Sequence, residues 1–179
     1  MDNSISISRI KSVINAPSLN IQRNWPLIEA SLDKFDILTK NTAISAIGTT
    51  QVETGVFAPI NEFGSHSYFL KRYESRKDLG NVNPGDGYKY HGRGFIQITG
   101  RANYRFYGEA LKVDLENNPE LALNPLIASD ILAKYFKDKK INIYSESKNW
   151  LKIRKLVNGG LNGFEQFKSI CEKLSLENK

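Results

Sequence analysis

The chain has 179 residues, 40% hydrophobic, 25% charged and 11% aromatic, a composition that supports a proper globular core and excludes large-scale disorder. A single cysteine, Cys171, excludes an intramolecular disulfide, and with only His66 and His91 beside it no zinc-ligand spacing remains. Lys and Arg outnumber Asp and Glu by 25 to 19, and the net charge of +6 favours polyanionic partners: nucleic acid, anionic lipid or an acidic bacterial wall.

The opening MDNSISISRIKSVINAP has no positive stretch followed by an unbroken apolar one, and no run in the chain approaches membrane-spanning length. The expectation is synthesis in the cytoplasm without a conventional export signal, and no stable membrane insertion. Ile7, Ile10, Val13 and Ile14 recur at helical spacing until Ala16-Pro17-Ser18 breaks the pattern. Asn24 is placed to cap a second helix with Trp25 and Pro26 in its first turn, burying Ile28, Leu32 and Phe35. A third helix, capped by Thr39 or Asn41, turns Ala43, Ile44 and Ile47 inward and runs to about Glu53 before Gly55 stops it.

From Val56 to Gly87 periodicity is lost, which predicts a long loop-rich region with at most one helical turn near Tyr68 to Tyr73; loops that long in a compact domain are usually functional. Phe95, Ile96 and Ile98 predict a short strand or extended segment, and Arg101 to Leu111 a helix. Asn124-Pro125 starts a further helix bearing Leu126, Ile127, Ile131, Leu132, Tyr135 and Phe136. Another spans about Lys148 to Val157, ended by Asn158-Gly159-Gly160, and the last covers Phe164 to Leu174 with a fraying polar tail. Cys171 falls in that last pattern as a packed thiol. With no repeat and no linker, residues 1 to 179 read as one mainly helical domain, expected to be monomeric.

The stretch YKYHGRGFIQITGRANY, Tyr88 to Tyr104, has three glycines, but the dinucleotide fingerprint needs its third glycine where Gln97 stands, so phosphate binding is excluded on spacing. Glu53, at the negative end of a helix dipole, is a position where a carboxyl pKa should rise, as a general acid requires; a solvated helix-end glutamate is the plain alternative. Glu62 and Glu74 follow in the loop region, and paired carboxylates are the minimal apparatus of a glycosidase. Composition does not choose between them. Tyr88, Tyr90 and Tyr104 are candidates to pack on sugar rings or to fill the core, and Arg93 to orient a carboxylate or lie on the surface. Scattered lysines and arginines without a framing motif argue against nucleic acid.

KYHGRGFIQITGRANY, together with AIGTTQVETGVFAPINE, YFLKRYESRKDLGNVNPGDG and RKLVNGGLNG in that order, resembles glycoside hydrolase family 19, which includes chitinases and bacteriophage endolysins. The resemblance covers roughly residues 20 to 165. It implies a lysozyme-like, two-lobed helical domain with a small β and loop region beside a cleft. By resemblance Glu53 is the general acid, with Val52 where the family has histidine. The second carboxylate is Glu74 by preference, with Glu62 as the alternative. Thr99 holds the attacking water, Gln97, Asn103 and Asn158 bind sugar, and the glycines let the backbone approach it. The implied reaction is single-step inversion at β-1,4 bonds beside N-acetylated amino sugars, without metal or cofactor. Peptidoglycan is preferred as substrate, reached by an endolysin after holin-type release to the wall; the alternatives are a chitinase and a catalytically silent wall-binding module.

Overall fold

The computed structural model describes residues 4–176, chiefly as α-helix, in two compact units: one of the residues up to 58 with those from 132 onward, the other of residues 59–131. In the first unit, α1 (Ile7–Val13) is capped by Ser6, whose hydroxyl accepts from the Arg9 N–H, and buries Ile10. Helix α2 (Ser18–Lys34) starts about two turns earlier than Asn24 predicts, and Pro26 lies inside it. Ile21 supplies the reason: Ile21, Trp25, Ile28 and Leu32 form one buried stripe, which rewards the extra turns. Asn24 is therefore not a cap; its buried amide donates to Phe57 O at 2.8 Å. Phe35 stands at the C-cap, half-buried, outside the stripe.

Helix α3 (Lys40–Thr54) takes Thr39 as its cap and ends at Gly55, whose φ of 70° is open to glycine. Residues 42–51 are all buried. An amphipathic reading with only Ala43, Ile44 and Ile47 inward understates this, because the small side chains of α3 let neighbours cover every face. Buried Ser45 is satisfied locally, donating to Asn41 O and accepting from Ser145, whereas the buried Thr49 and Thr50 hydroxyls have no hydrogen-bond partner among the described residues.

The second unit opens with strand β1 (Ile60–Asn61), antiparallel to β2 (Arg93–Gly94), with Ile60 opposite Gly94 and Asn61 opposite Arg93. Phe95–Gln97 is a tight turn, not the strand or extended segment predicted, and it returns Ile98 to bridge Arg93. Helix α4 (His66–Tyr73), capped by Ser65, runs two turns where one was expected. A 3-10 turn at Lys77–Leu79 and the four-residue α5 (Asp86–Lys89) follow. Side chains bonded to backbone organise this aperiodic stretch. Buried Asn81 donates to Tyr73 O and accepts from the Arg101 N–H, and buried Asp86 accepts from the N–H groups of Val82 and Asn83 while pairing with Arg101 at 2.6 Å. Helix α6 (Arg101–Leu111) matches its prediction, and a 3-10 turn at Pro119–Leu123 leads to α7 (Pro125–Asp138), where Asn124 accepts from the Leu126 N–H.

Beyond α7 the first unit resumes with α8 (Ile141–Glu146), which periodicity missed, then α9 (Trp150–Asn158) and α10 (Phe164–Ser175). Asn149 caps α9, so the helix begins two residues later than predicted. Helices α3 and α10 pack closely: a Cβ on Gly48 would lie 3.0 Å from Phe167 and 3.1 Å from Cys171 Sγ. Cys171 is fully buried and burial pushes its thiol pKa up, so it is a packing residue. The fraying tail falls largely on residues 177 to 179, outside the described residues.

Candidate functional site

Glu53 is the penultimate residue of α3. Its carboxylate pairs with the Arg154 guanidinium, whose side chain is 3% exposed against 14% for Glu53. Arg154 is itself anchored by Nε donating to Asn162 O at 2.5 Å. The helix-end glutamate is thus fixed by a buried cation rather than left solvated. Val52 packs against the turn before α10, since a Cβ on Gly163 would lie 2.6 Å from its Cγ1. Tyr135 donates to Leu156 O, and burial together with the negative charge of Glu53 pushes its pKa up to about 12. Asn158 is exposed at the end of α9, four residues past Arg154 and so on the same helix face. Trp150, Ile153, Arg154 and Val157 share core spacing on α9, and a cation in that stripe was the available signal for Arg154.

In the second unit Glu62 follows β1, and both of its oxygens are engaged. Tyr73 donates its phenol hydrogen to Oε1 at 2.7 Å, and the Gly92 N–H donates to Oε2 at 3.0 Å. Arg72 donates in turn to the Tyr73 oxygen at 3.0 Å. Burial and the hydrogen bond to Glu62 push the Tyr73 pKa up to about 12, so the phenol stays a donor through the neutral range. A Cβ on Gly92 would lie 2.9 Å from Gln97 Oε1 and 3.1 Å from Glu62 Oε2, which places these two groups on one side of Gly92. Gln97 sits at φ 53°, a costly conformation for a side-chain-bearing residue, and its amide donates to Ile60 O and Gly94 O. Thr99 donates to Gln97 O and Asn103 to Thr99 O, so Glu62, Gln97, Thr99 and Asn103 form one connected group.

Glu74 stands apart from that group. Its two oxygens accept the Gly85 and Gly87 N–H groups, each at 2.7 Å, and so tie down the entry to α5 as Asn81 and Asp86 tie down theirs. Three sugar-contact expectations are corrected. Tyr90 and Tyr104 are 0% exposed, with hydroxyls donating to Glu116 O and His91 O, and offer no ring face to a ligand. Arg93 is 3% exposed and pairs with Glu120 at 2.6 Å, not with Glu53, Glu62 or Glu74. The room left by the glycines is filled by protein: Glu62 and Gln97 at Gly92, and Leu79 at Gly100, where a Cβ would lie 2.6 Å away. Among the described residues no group of three or more His, Cys, Asp or Glu converges as a metal cage.

His91 is buried against Phe69, and burial lowers its pKa below the ordinary imidazole value of 6.5. Since the unfolded chain then binds the proton more readily, this residue's contribution is complete above about pH 6.5 and declines as pH falls toward the folded-state value. The urea midpoint is expected to drop between pH 7.5 and 5 by more in the wild type than in His91→Gln. Parallel drops would remove His91 as the cause.

The family model described as chitinase class I matches residues 33–142, well over half of the chain. The chain belongs to glycoside hydrolase family 19. Among relatives, a glycosyl hydrolase family 19 domain-containing protein of Haemophilus influenzae is 35% identical over 94 residues, 52% of this chain and 45% of that protein. An acidic endochitinase of Petunia hybrida is 34% identical over 103 residues, 56% of this chain and 37% of that protein. The chain thus spans less than half the length of these relatives. A solved bacterial family 19 chitinase superposes with a TM-score of 0.72 at 18% identity, covering 97% of this chain and 96% of that one. Chitinase C from Streptomyces griseus gives 0.69 at 20%, covering 96% and 74%. These likenesses establish the mainly helical, lysozyme-like fold.

Proposed function

We propose that this chain is a single catalytic domain that hydrolyses β-1,4 bonds beside N-acetylated amino sugars, with Glu53 as general acid and Glu62, in preference to Glu74, as the base that directs water. The observation carrying the choice is the environment of the two loop glutamates. Both Glu74 oxygens serve backbone amides of one turn, whereas Glu62 is held by a phenol and one amide beside Gln97, whose carbonyl accepts from Thr99, and amide and hydroxyl groups are able to bind sugar hydroxyls or water. Family membership supports the reaction class. In a single-step inversion Glu53 protonates the leaving oxygen while Glu62 takes a proton from water attacking the opposite face of the anomeric carbon. Arg154 fixes the Glu53 carboxylate, and Tyr73 fixes that of Glu62.

Within this class we favour peptidoglycan, as for an endolysin, because the net charge of +6 suits an anionic wall. Chitin is the second reading, supported by relatives named as endochitinases. The test mixes purified protein with permeabilised bacteria, isolated sacculi and N-acetylglucosamine oligomers, and follows turbidity and the anomer first released. Sacculus clearance with an α-anomeric first product is expected. Cleavage of chitin oligomers alone overturns the peptidoglycan preference, a β-anomeric first product overturns inversion, and inertness toward all three overturns the hydrolase.

A further inference from the structure

Three exposed aromatic side chains of the second unit, His66, Tyr68 and Tyr88, surround one buried pair of rings. Phe69 and His91 stack at 4.3 Å with their planes 10° apart, and both are buried. Tyr88 rests on this pair, with ring centroids 6.2 Å from Phe69 and 5.6 Å from His91, and touches exposed His66 at 4.5 Å. Tyr68 meets Phe69 edge-on at 5.4 Å. Gly64 lies against the same rings, since a Cβ there would come within 2.4 Å of Tyr68 and 2.9 Å of Phe69, and Phe63 precedes it in the chain. Yet Phe63 is 89% exposed, Tyr88 45% and Tyr68 40%.

Neither the Tyr68 nor the Tyr88 hydroxyl has a hydrogen-bond partner among the described residues, whereas Tyr73, Tyr90, Tyr104 and Tyr135 all donate. The Arg72 guanidinium lies 5.8 Å over the Tyr68 ring, and Tyr88, anchored on the buried pair, stays 45% exposed; apolar ring surface left in water forgoes hydrophobic stabilisation. The cluster is continuous with Glu62 at two points: Phe63 is its chain neighbour, and His91 precedes Gly92, whose N–H donates to the Glu62 carboxylate.

We propose that Phe63, His66, Tyr68 and Tyr88 form a saccharide-binding ridge that takes the apolar faces of successive amino-sugar rings leading to Glu62. The saccharide class rests on the function proposed above, and the ridge is built of residues outside the catalytic group. A pyranose presents a C–H face matched to an aromatic ring and an equatorial rim of hydroxyl and acetamido groups matched to free phenols. Asn61 and Arg72, both exposed at this side, add further polar partners.

The test measures calorimetric binding of the N-acetylglucosamine hexamer to full-length protein carrying Glu53→Gln, so that no cleavage intervenes. Adding Tyr88→Ala is expected to weaken binding about tenfold, His66→Ala and Phe63→Ala less, and Tyr88→Trp to retain affinity. Phe106→Ala, an exposed aromatic on α6, serves as control and should bind as the parent does. Circular dichroism melts confirm that each variant folds. Unchanged affinity in Tyr88→Ala, equal losses in the Phe106 control, or no hexamer binding by the parent would overturn the ridge. Hydrolysis bears on it separately: an inactive chain that binds through Tyr88 refutes the proposed reaction and keeps the ridge, and an active chain indifferent to Tyr88 does the reverse.

Discussion

Glu62→Gln is expected to lower kcat/KM on oligosaccharide by about 10²–10⁴-fold, the range for losing a general base, with little change in melting temperature. The glutamine oxygen can accept from the Gly92 N–H while its amino group donates to the Tyr73 oxygen, a phenol being able to accept as well as donate, so both contacts are kept while the group able to take a proton from water is gone. Glu74→Gln should show the opposite pattern. Its carboxylate receives two backbone N–H groups, and a carboxamide has only one oxygen to offer them, so its amino group is set against a donor. The cost should be about 1–3 kcal/mol of stability, for an unsatisfied, partly buried N–H, with activity kept at temperatures where the variant is folded. Paired melts and initial rates on the two variants decide the matter. A Glu74→Gln protein that melts like the wild type but does not turn over, beside an active Glu62→Gln, would reverse the assignment.

The second large effect concerns Arg154. Arg154→Met leaves the Glu53 carboxylate without its cation, and the expected loss is about 3 kcal/mol, at the lower end for breaking a buried pair because the Glu53 side chain keeps 14% exposure. On the proposed mechanism activity should fall as well, because Glu53 loses the contact that orients it. Combining Arg154→Met with Glu53→Gln removes both charges, so the double variant should regain part of the stability, with a coupling of about 1–3 kcal/mol between the sites. It should regain no activity. Chemical denaturation of the four proteins in the cycle measures that coupling; simple additivity within about 0.5 kcal/mol would mean that the pair does not interact in solution.

Local signals were legible wherever they were strong and repeated. Thr39 and Gly55 bound α3 as their types require, Asn124-Pro125 starts α7, and α6 has its predicted limits. The errors arose where a tertiary partner outweighed a local cue. Asn24-Trp25-Pro26 is a good helix start in isolation, yet the buried stripe through Ile21 extends α2 back to Ser18. Phe95-Ile96-Gln97-Ile98 has strand composition, but pairing of Ile98 with Arg93 folds it into a turn. Tyr90, Arg93 and Tyr104 are residue types that bind sugars, and nothing in their spacing distinguishes a ligand-facing ring from a core ring.

The sequence by itself determined the family, the mainly helical class and the placement of Glu53 at the end of a glycine-stopped helix. All of these are carried by residues adjacent in the chain or at a fixed helical period. Only the tertiary structure decided what surrounds each carboxylate. Arg154 reaches Glu53 from 101 residues away, and Gly92 reaches Glu62 from 30, whereas Glu74 spends both oxygens on a turn 11 to 13 residues ahead. A carboxylate's chemistry depends on the donors and charges within a few ångströms of it, and those neighbours are set by folding rather than by sequence order.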